Sequence, residues 1–308
     1  MAVPSDPDAL VPPVLREAIL AWYDANRRDL AFRATHDPYA VLVSELMAQQ
    51  TQAERAAEAW TRWMVRFPTV EALAGAPVAD VVRAWAGLGY NRRAVNLHRA
   101  AKAVVADHGG RVPDTVDGLM TLPGVGPYTA RAVAAIAFGR PVGAVDTNVR
   151  RVLDRVAWGG AQTLAPREMQ ALADAVVPPD RAGDWTHALM DLGAGPCRPR
   201  APRCHACPAI AWCRFAAGHR ADVPAVSTGP RAARAPSTAF PATTRWLRGR
   251  IVAQARDASD GDWVAFGAAI GAHDPRAVRE AVVALASEGL LESRDTPDGP
   301  EARLPLDA

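Results

Sequence analysis

Four cysteines fall within seventeen residues as Cys197-x6-Cys204-x2-Cys207-x5-Cys213, and the chain has no others. One local loop that gathers four thiolates can close a tetrahedral sulfur cage, and both a [4Fe–4S] cluster and a zinc ion are held in that way. Structural zinc sites usually use two knuckles of two sulfurs each, whereas only Cys204 and Cys207 have that spacing here. The uneven loop favours the cluster, with zinc as the alternative. Two disulfides would require an oxidising destination. The first twenty residues carry Asp6, Asp8, Arg16 and Glu17 and no continuous apolar run, so no secretory segment is expected.

A length of 308 residues and 49% hydrophobic content leave room for about two domains with sizeable cores. No stretch approaches the roughly 20 uninterrupted apolar residues of a membrane span. The expectation is therefore a cytoplasmic, monomeric protein without a membrane partner. Net charge is only +2, and Lys102 is the sole lysine among many arginines. Nucleic-acid binding has to be argued from local patterns.

Helical periodicity dominates to about residue 215. A helix is predicted from Pro13 to Asn26, with Leu15, Ile19, Trp22 and Tyr23 on one face. Asp37-Pro38 reads as an N-cap followed by a first-turn proline, opening a helix that sets Glu45 and Gln49 one turn apart on the same side. Further helices are expected near 53–66, 77–85, 91–108, 127–138, 147–157, 165–176 and 183–194. No strand is expected there, so residues 1–220 read as an all-α domain. Residues 221–244 carry Pro224, Pro230, Pro236 and Pro241 and read as a linker. Residues 245–308 read as a small winged-helix-like module, with helices near 245–256 and 274–287 and then a two-stranded turn.

Leu122-Pro123-Gly124-Val125-Gly126-Pro127 joins two helical stretches. Gly124 and Gly126 around Val125 let the chain turn with its amides exposed, and Pro127 starts a helix whose N-terminus carries positive partial charge. Such a turn can hold a DNA phosphate without reading a base, or can simply join two helices. Five other segments accompany it: Arg28-Asp29-Leu30, Ser44 to Thr51 (SELMAQQT), Gly87-Leu88-Gly89-Tyr90, Val145-Asp146-Thr147-Asn148-Val149 and the cysteine loop. Their identity and order over residues 15–215 resemble the helix-hairpin-helix DNA glycosylases that carry an iron–sulfur cluster, specifically the MutY-type adenine glycosylases. The resemblance implies a two-lobed helical fold, a [4Fe–4S] cluster on Cys197, Cys204, Cys207 and Cys213, and double-stranded DNA with a mispaired or damaged base as partner, in a nucleoid-associated bacterial repair protein. It also implies extrusion of the target nucleotide into a pocket.

Removing a purine requires a proton on the base and negative charge near the sugar. By resemblance Glu45 is the acid, kept protonated near neutral pH by an apolar helix, and Asp146 is the carboxylate that stabilises the sugar cation. The two are expected on separate lobes. Related endonuclease III enzymes place a Schiff-base lysine where this chain has Tyr128. A phenol cannot form that bond, so the resemblance implies a monofunctional glycosylase that leaves an abasic site, with Tyr128 and Asn148 positioning Asp146 or the water. Gln50 and Tyr90 match residues inserted into the duplex, with Gln49 nearby supplying amide hydrogen bonds. Arg92, Arg93, Arg198, Arg200 and Arg203 are expected phosphate contacts.

Several departures concern the base pocket, read as Arg28, Phe32, Arg33, Ala48 and His187. The family usually has Leu-Pro-Trp-Arg where this chain has Leu30-Ala31-Phe32-Arg33, and Met-Leu-Gln-Gln where Ala48 follows Met47. His187, ten residues before the first cysteine, replaces a common Glu or Gln. The region after residue 220 is too short for the family's Nudix-like domain and lacks its Phe-Ser-His tripeptide. Alternatives to excision of adenine opposite 8-oxoguanine or guanine are therefore a glycosylase for mismatched thymine or uracil or for a damaged purine, and a catalytically silent DNA-binding protein.

Overall fold

A computed structural model describes residues 6–160, 164–220 and 239–307. Fourteen α-helices and three strands occur in order among them: α1 Pro13–Asn26, α2 Pro38–Ala48, α3 Ala53–Arg66, α4 Val70–Ala74, α5 Val78–Ala84, α6 Arg92–His108, α7 Val116–Met120, α8 Pro127–Phe138, α9 Thr147–Trp158, α10 Pro166–Ala175, α11 Ala182–Ala194, α12 Arg214–Arg220, α13 Thr244–Asp257, β1 Val264–Ala265, α14 Pro275–Ser287, β2 Glu292–Thr296 and β3 Gly299–Arg303. No helix among the described residues is long and apolar enough to cross a membrane.

Helix starts follow from capping chemistry. The Asp37 carboxylate accepts from the Ala40 amide at 2.9 Å, and Asp146 and Asp274 cap α9 and α14 in the same manner. Glycines in left-handed conformation end α6, α8 and α9. The one-turn helices α4 and α7 have no readable periodicity. Their starts are nonetheless marked by Thr69 and Thr115, whose hydroxyls accept from the third residue on.

The chain forms two compact units, one of residues 1–45, 114–121 and 125–229 and the other of 46–113, 122–124 and 230–308. In the first, α11 packs against α1, α8 and α9. Leu15, Ile19, Tyr23, Val149, Leu153, Trp185 and Leu189 form its core together with Cys213 of the cysteine loop. In the second, Trp63 meets Phe67 and Trp85 edge-on, with ring centroids 4.9 and 5.5 Å apart.

The C-terminal module is two helices and an antiparallel sheet of order β1-β3-β2, with β2 and β3 forming the hairpin expected from sequence and Val264 and Ala265 adding a short third strand. Leu247, Ile251, Val252, Val278, Val282 and Leu285 share one core with Ala79 and Val82 of α5 and Val95 of α6. The amides of Val78 and Ala79 donate to the carbonyls of Asp307 and Pro305 at 3.1 and 2.9 Å. Of the segment expected as a linker, residues 221–238 lie outside the described residues. Phe240–Ala242 form a 3-10 turn ahead of α13.

Candidate active site

Glu45 and Asp146, expected on separate lobes, lie in the same compact unit, and Tyr128 connects them. Glu45 is 8% exposed near the end of α2, where Val41, Leu42 and Leu46 are also buried. Burial pushes its carboxyl up to about 7, opposed by a hydrogen bond from the Tyr128 phenol and by the positive charge of Arg33, and reinforced by the negative charge of Asp146. Tyr128 sits in the first turn of α8, its hydroxyl 3.8 Å from Met190 Sδ. Burial and the two nearby carboxylates hold its phenol well above the ordinary range, so it stays a proton donor.

Asp146 lies just before α9 because it caps that helix. Oδ1 accepts from the Val149 amide at 2.7 Å, and Oδ2 accepts from Asn148 Nδ2 at 3.0 Å. Arg151, one turn on, donates to Asn148 Oδ1 at 2.8 Å, to the Gly193 carbonyl at 2.7 Å and to the Cys197 carbonyl at 2.9 Å. A continuous set of hydrogen bonds therefore runs from the first cysteine's backbone to the Asp146 carboxylate. A Cβ on Gly193 would come within 2.6 Å of Asn148 Cβ, so this approach requires glycine. Arg151 and Gly193 escaped the sequence reading. Their one signal was position: Arg151 lies on the Asp146–Asn148 side of α9.

In the same unit Asp191, also missed, is only 4% exposed and takes the guanidinium groups of both Arg28 and Arg33. Arg28 Nε donates to Oδ1 at 2.7 Å, while Arg33 donates to Oδ2 and Oδ1 at 2.6 and 2.9 Å. Burial raises the Asp191 pKa but the two arginines outweigh it and lower it overall. His187, one turn earlier on α11, is buried with its ring 6.4 Å from that of Tyr23. Desolvation, with Arg33 adding to it, pushes its imidazole down to about 3, so it is neutral at physiological pH. Arg28, Arg33 and His187 are thus brought together. Phe32 is half-buried beside Arg33 in the 3-10 turn Ala31–Ala34, and Ala48 belongs to the other unit.

That other unit holds Gln49, Gln50, Tyr90 and Gly124. Helix α2 ends at Ala48, so Gln49 lies in the following turn rather than on a helical face shared with Glu45. The reason is Arg93, expected on a phosphate-binding surface and found only 8% exposed. Its guanidinium donates to the carbonyls of Leu46, Met47 and Gln49 and to the Thr51 hydroxyl. It also donates to the carbonyls of Leu88 and Gly89. Burial lowers its pKa to about 10, still fully charged at neutral pH. The two loops it clamps carry Gln50 at φ 54° and Tyr90 at φ 46°, left-handed conformations costing roughly 1–3 kcal/mol each. Gly124 needs to be glycine because φ is 81° and a Cβ would lie 2.7 Å from Asn96 Cβ. Val125 is buried and Gly126 caps α8, while Arg92, Arg198, Arg200 and Arg203 are exposed.

All four cysteines are free thiols and line one small cavity with Arg155, Ile210 and Phe215. Arg155 closes one side, 3.5 Å from Cys197 Sγ and bonded to the carbonyls of Arg198 and Pro199 at 2.9 and 3.1 Å. Among the described residues, no three His, Cys, Asp or Glu side chains stand close enough to share one ion. The donor set and the common cavity nevertheless suit a thiolate-bound group.

Two measurements follow from this geometry. The Glu45 carboxyl, followed by difference infrared spectroscopy, is expected to titrate near pH 7, and Tyr128→Phe, by removing the bond that favours the ionised form, to move the midpoint upward. Arg93→Ala is expected to cost about 3 kcal/mol of unfolding free energy in urea titrations, because it strands several buried carbonyls, and Arg93→Lys to recover only part of it.

Residues 43–179 match the family described as HhH-GPD superfamily base excision DNA repair protein. An adenine DNA glycosylase of Mycobacterium tuberculosis is 45% identical over 238 residues, 76% of each chain. One of Mycolicibacterium smegmatis is 40% identical over 283 residues, covering 91% of this chain and 93% of that protein. Among solved structures, a thermostable thymine-DNA glycosylase superposes with a TM-score of 0.63 at 32% identity, over 67% of this chain and 96% of its own. Extended identity to these relatives and the helical architecture agree: the chain belongs to the adenine DNA glycosylase family of helix-hairpin-helix base-excision repair proteins.

Proposed function

We propose that the protein hydrolyses the N-glycosidic bond of an everted adenine mispaired with guanine or 8-oxoguanine in duplex DNA and leaves an abasic site. The observation that carries this reading is a carboxylic acid at Glu45, with its pKa near 7, coupled through Tyr128 to a carboxylate of a different environment at Asp146. A proton donor shielded from water and a second carboxylate held in a fixed orientation are what acid-assisted departure of a base requires.

In this reading Glu45 gives its proton to a ring nitrogen of the purine, and the C1′–N9 bond breaks with its electron pair moving onto the base. Positive charge is left on the sugar. Asp146 meets that charge, its orientation fixed by the Val149 amide and Asn148, and water then adds at C1′ with loss of a proton. Tyr128 holds Glu45 and contributes no amine, so no Schiff base forms and the strand stays intact. Arg28 and Arg33, both held by Asp191, and His187 supply polar edges of the base pocket, with Phe32 assigned to it by motif. Gln50 and Tyr90 occupy the space the base leaves, and Gln49 beside them supplies amide hydrogen bonds to a base edge. The turn Gly124-Val125-Gly126, Arg92 and Arg200 hold the phosphate backbone.

Cys197, Cys204, Cys207 and Cys213 are assigned to a [4Fe–4S] cluster, which would cross-link the loop whose Cys197 carbonyl is bonded to Arg151. Iron and acid-labile sulfide are expected in the purified protein and depleted in Cys207→Ala. Zinc without sulfide would overturn the assignment.

Labelled duplexes with A:8-oxoG, A:G, T:G, U:G and hypoxanthine pairs, resolved with and without alkali, test the reaction. Breaks at adenine only after alkali are expected; breaks without alkali refute the role given to Tyr128. Asp146→Asn should reduce excision by at least about 100-fold with duplex affinity retained. Equal loss of affinity and turnover would make Asp146 structural.

A further inference from the structure

Helix α9 orients Asp146 from one side. The Val149 amide and the Asn148 side chain both belong to that helix, which follows Asp146 in the chain, and Arg151 acts through Asn148. These bonds fix the carboxylate against α9. They do not fix its distance from Tyr128, which sits on α8, and residues 139–146 run from α8 to α9 without regular secondary structure. Something has to set the spacing of that segment from α8.

Asp174, near the end of α10, is placed to do so. Its Oδ1 accepts from the Gly143 amide at 2.8 Å, from Arg131 Nη1 at 2.5 Å and from Gln170 Nε2 at 3.0 Å. Gln170 also donates to the Gly143 carbonyl at 2.8 Å, so the amide and the carbonyl of Gly143 are both bonded to α10. Arg131 lies three residues after Tyr128 on α8. One carboxylate oxygen thus joins the helix of Tyr128, the helix α10 and the segment leading into Asp146. Close packing enforces the approach: a Cβ on Gly143 would lie 2.6 Å from the carbonyl carbon of Ala173 and 2.7 Å from its Cβ. The Asp174 side chain is 35% exposed, so its ion pair with Arg131 adds little to stability. What it fixes is geometry.

We propose that Asp174 is a positioning residue for base excision: it holds residues 143–146 at a set distance from the first turn of α8, so that Asp146 meets the sugar where Glu45 and Tyr128 act on the base. The inference rests on the proposed excision reaction. Helix α8 is also packed against α7 and α11, whereas residues 143–146 lie outside any helix or strand. Cutting the tie at Asp174 therefore releases the segment and leaves Glu45 and Tyr128 in place. Stabilisation of a developing charge depends steeply on placement, and a displacement of about 1 Å can cost about 100-fold in rate. Helix α10, which carries no group that reaches the substrate in the proposed reaction, would thereby act on its rate.

Single-turnover excision of adenine opposite 8-oxoguanine, paired with equilibrium binding to a duplex containing a tetrahydrofuran abasic analogue, tests this. Asp174→Ala is expected to lower the excision rate constant at least about tenfold, with duplex affinity kept within about twofold. The pH midpoint of the rate should stay near 7, because the surroundings of Glu45 are untouched. Gly143→Ala, which forces the segment off α10 while keeping Asp174, should behave in the same way. Asp174→Asn, which keeps an acceptor oxygen in the same place, should recover most of the rate. A residue that only stabilises the fold would lower the reacting fraction and the melting temperature and leave the rate constant of the folded enzyme intact. That result, a displaced pH midpoint, or an Asp174→Asn enzyme as slow as Asp174→Ala would each overturn the proposal. The wild type measured alongside keeps the two readings apart: failure of the wild type itself to release adenine would count against the glycosylase reading instead.

Discussion

Withholding water from one carboxyl group is the constraint on which the rest of the site depends. A carboxylic acid in water is almost fully ionised at neutral pH and cannot donate a proton to a base. Burial raises Glu45 to about 7, and the opposing pulls of Tyr128 and Arg33 keep it from rising further. The balance is useful in both directions: a fully apolar site would give a proton held too tightly to release, and an exposed one would give no proton at all. Asp146 is treated in the opposite way. It is half-exposed and tied to an amide and an amide side chain, so the same functional group is oriented rather than desolvated.

Orientation of Asp146 is inherited from backbone structure. Its position is set by its duty as the cap of α9, and its second oxygen is set by Asn148, which Arg151 holds against the Gly193 and Cys197 carbonyls. Arg93 performs a comparable service in the other unit, where one buried guanidinium satisfies carbonyls from two loops and holds Gln50 and Tyr90 in conformations neither would adopt alone. Arginine suits both places because a planar fork of donors can meet several fixed carbonyls at once.

The elements were legible where periodicity or capping residues carried them. Asp37-Pro38 and Asp146-Thr147 announce helix starts, and the long helices α3, α6 and α11 follow their apolar faces. What the sequence could not reveal was contact between distant segments. Arg93 reads as a surface charge until the loops it clamps are folded around it. Asp191 reads as one more helical acid until Arg28 and Arg33, more than 150 positions away, converge on it. Gly193 has no local signature because its need for a hydrogen in place of a side chain comes from Asn148 on another helix. The union of α13 and α14 with α5 and α6 was hidden for the same reason: an amphipathic helix shows that it has a partner, not which one.

The sequence departures at the proposed base pocket acquire a different meaning once charges are counted. Replacing a carboxylate or amide by histidine at position 187 would threaten specificity if the imidazole were cationic, because it could then only donate. Burial and Arg33 hold it near a pKa of 3, so it carries one donor and one acceptor, the same complement that an amide offers to a purine edge. Asp191 compensates the buried charge of Arg33, while Arg28, on the same carboxylate, is 36% exposed and keeps its excess charge in reach of water, so both present fixed donors. A histidine that would be a liability in water is thus made compatible with reading a neutral base, and what makes it so is the burial of its ring beside a paired guanidinium.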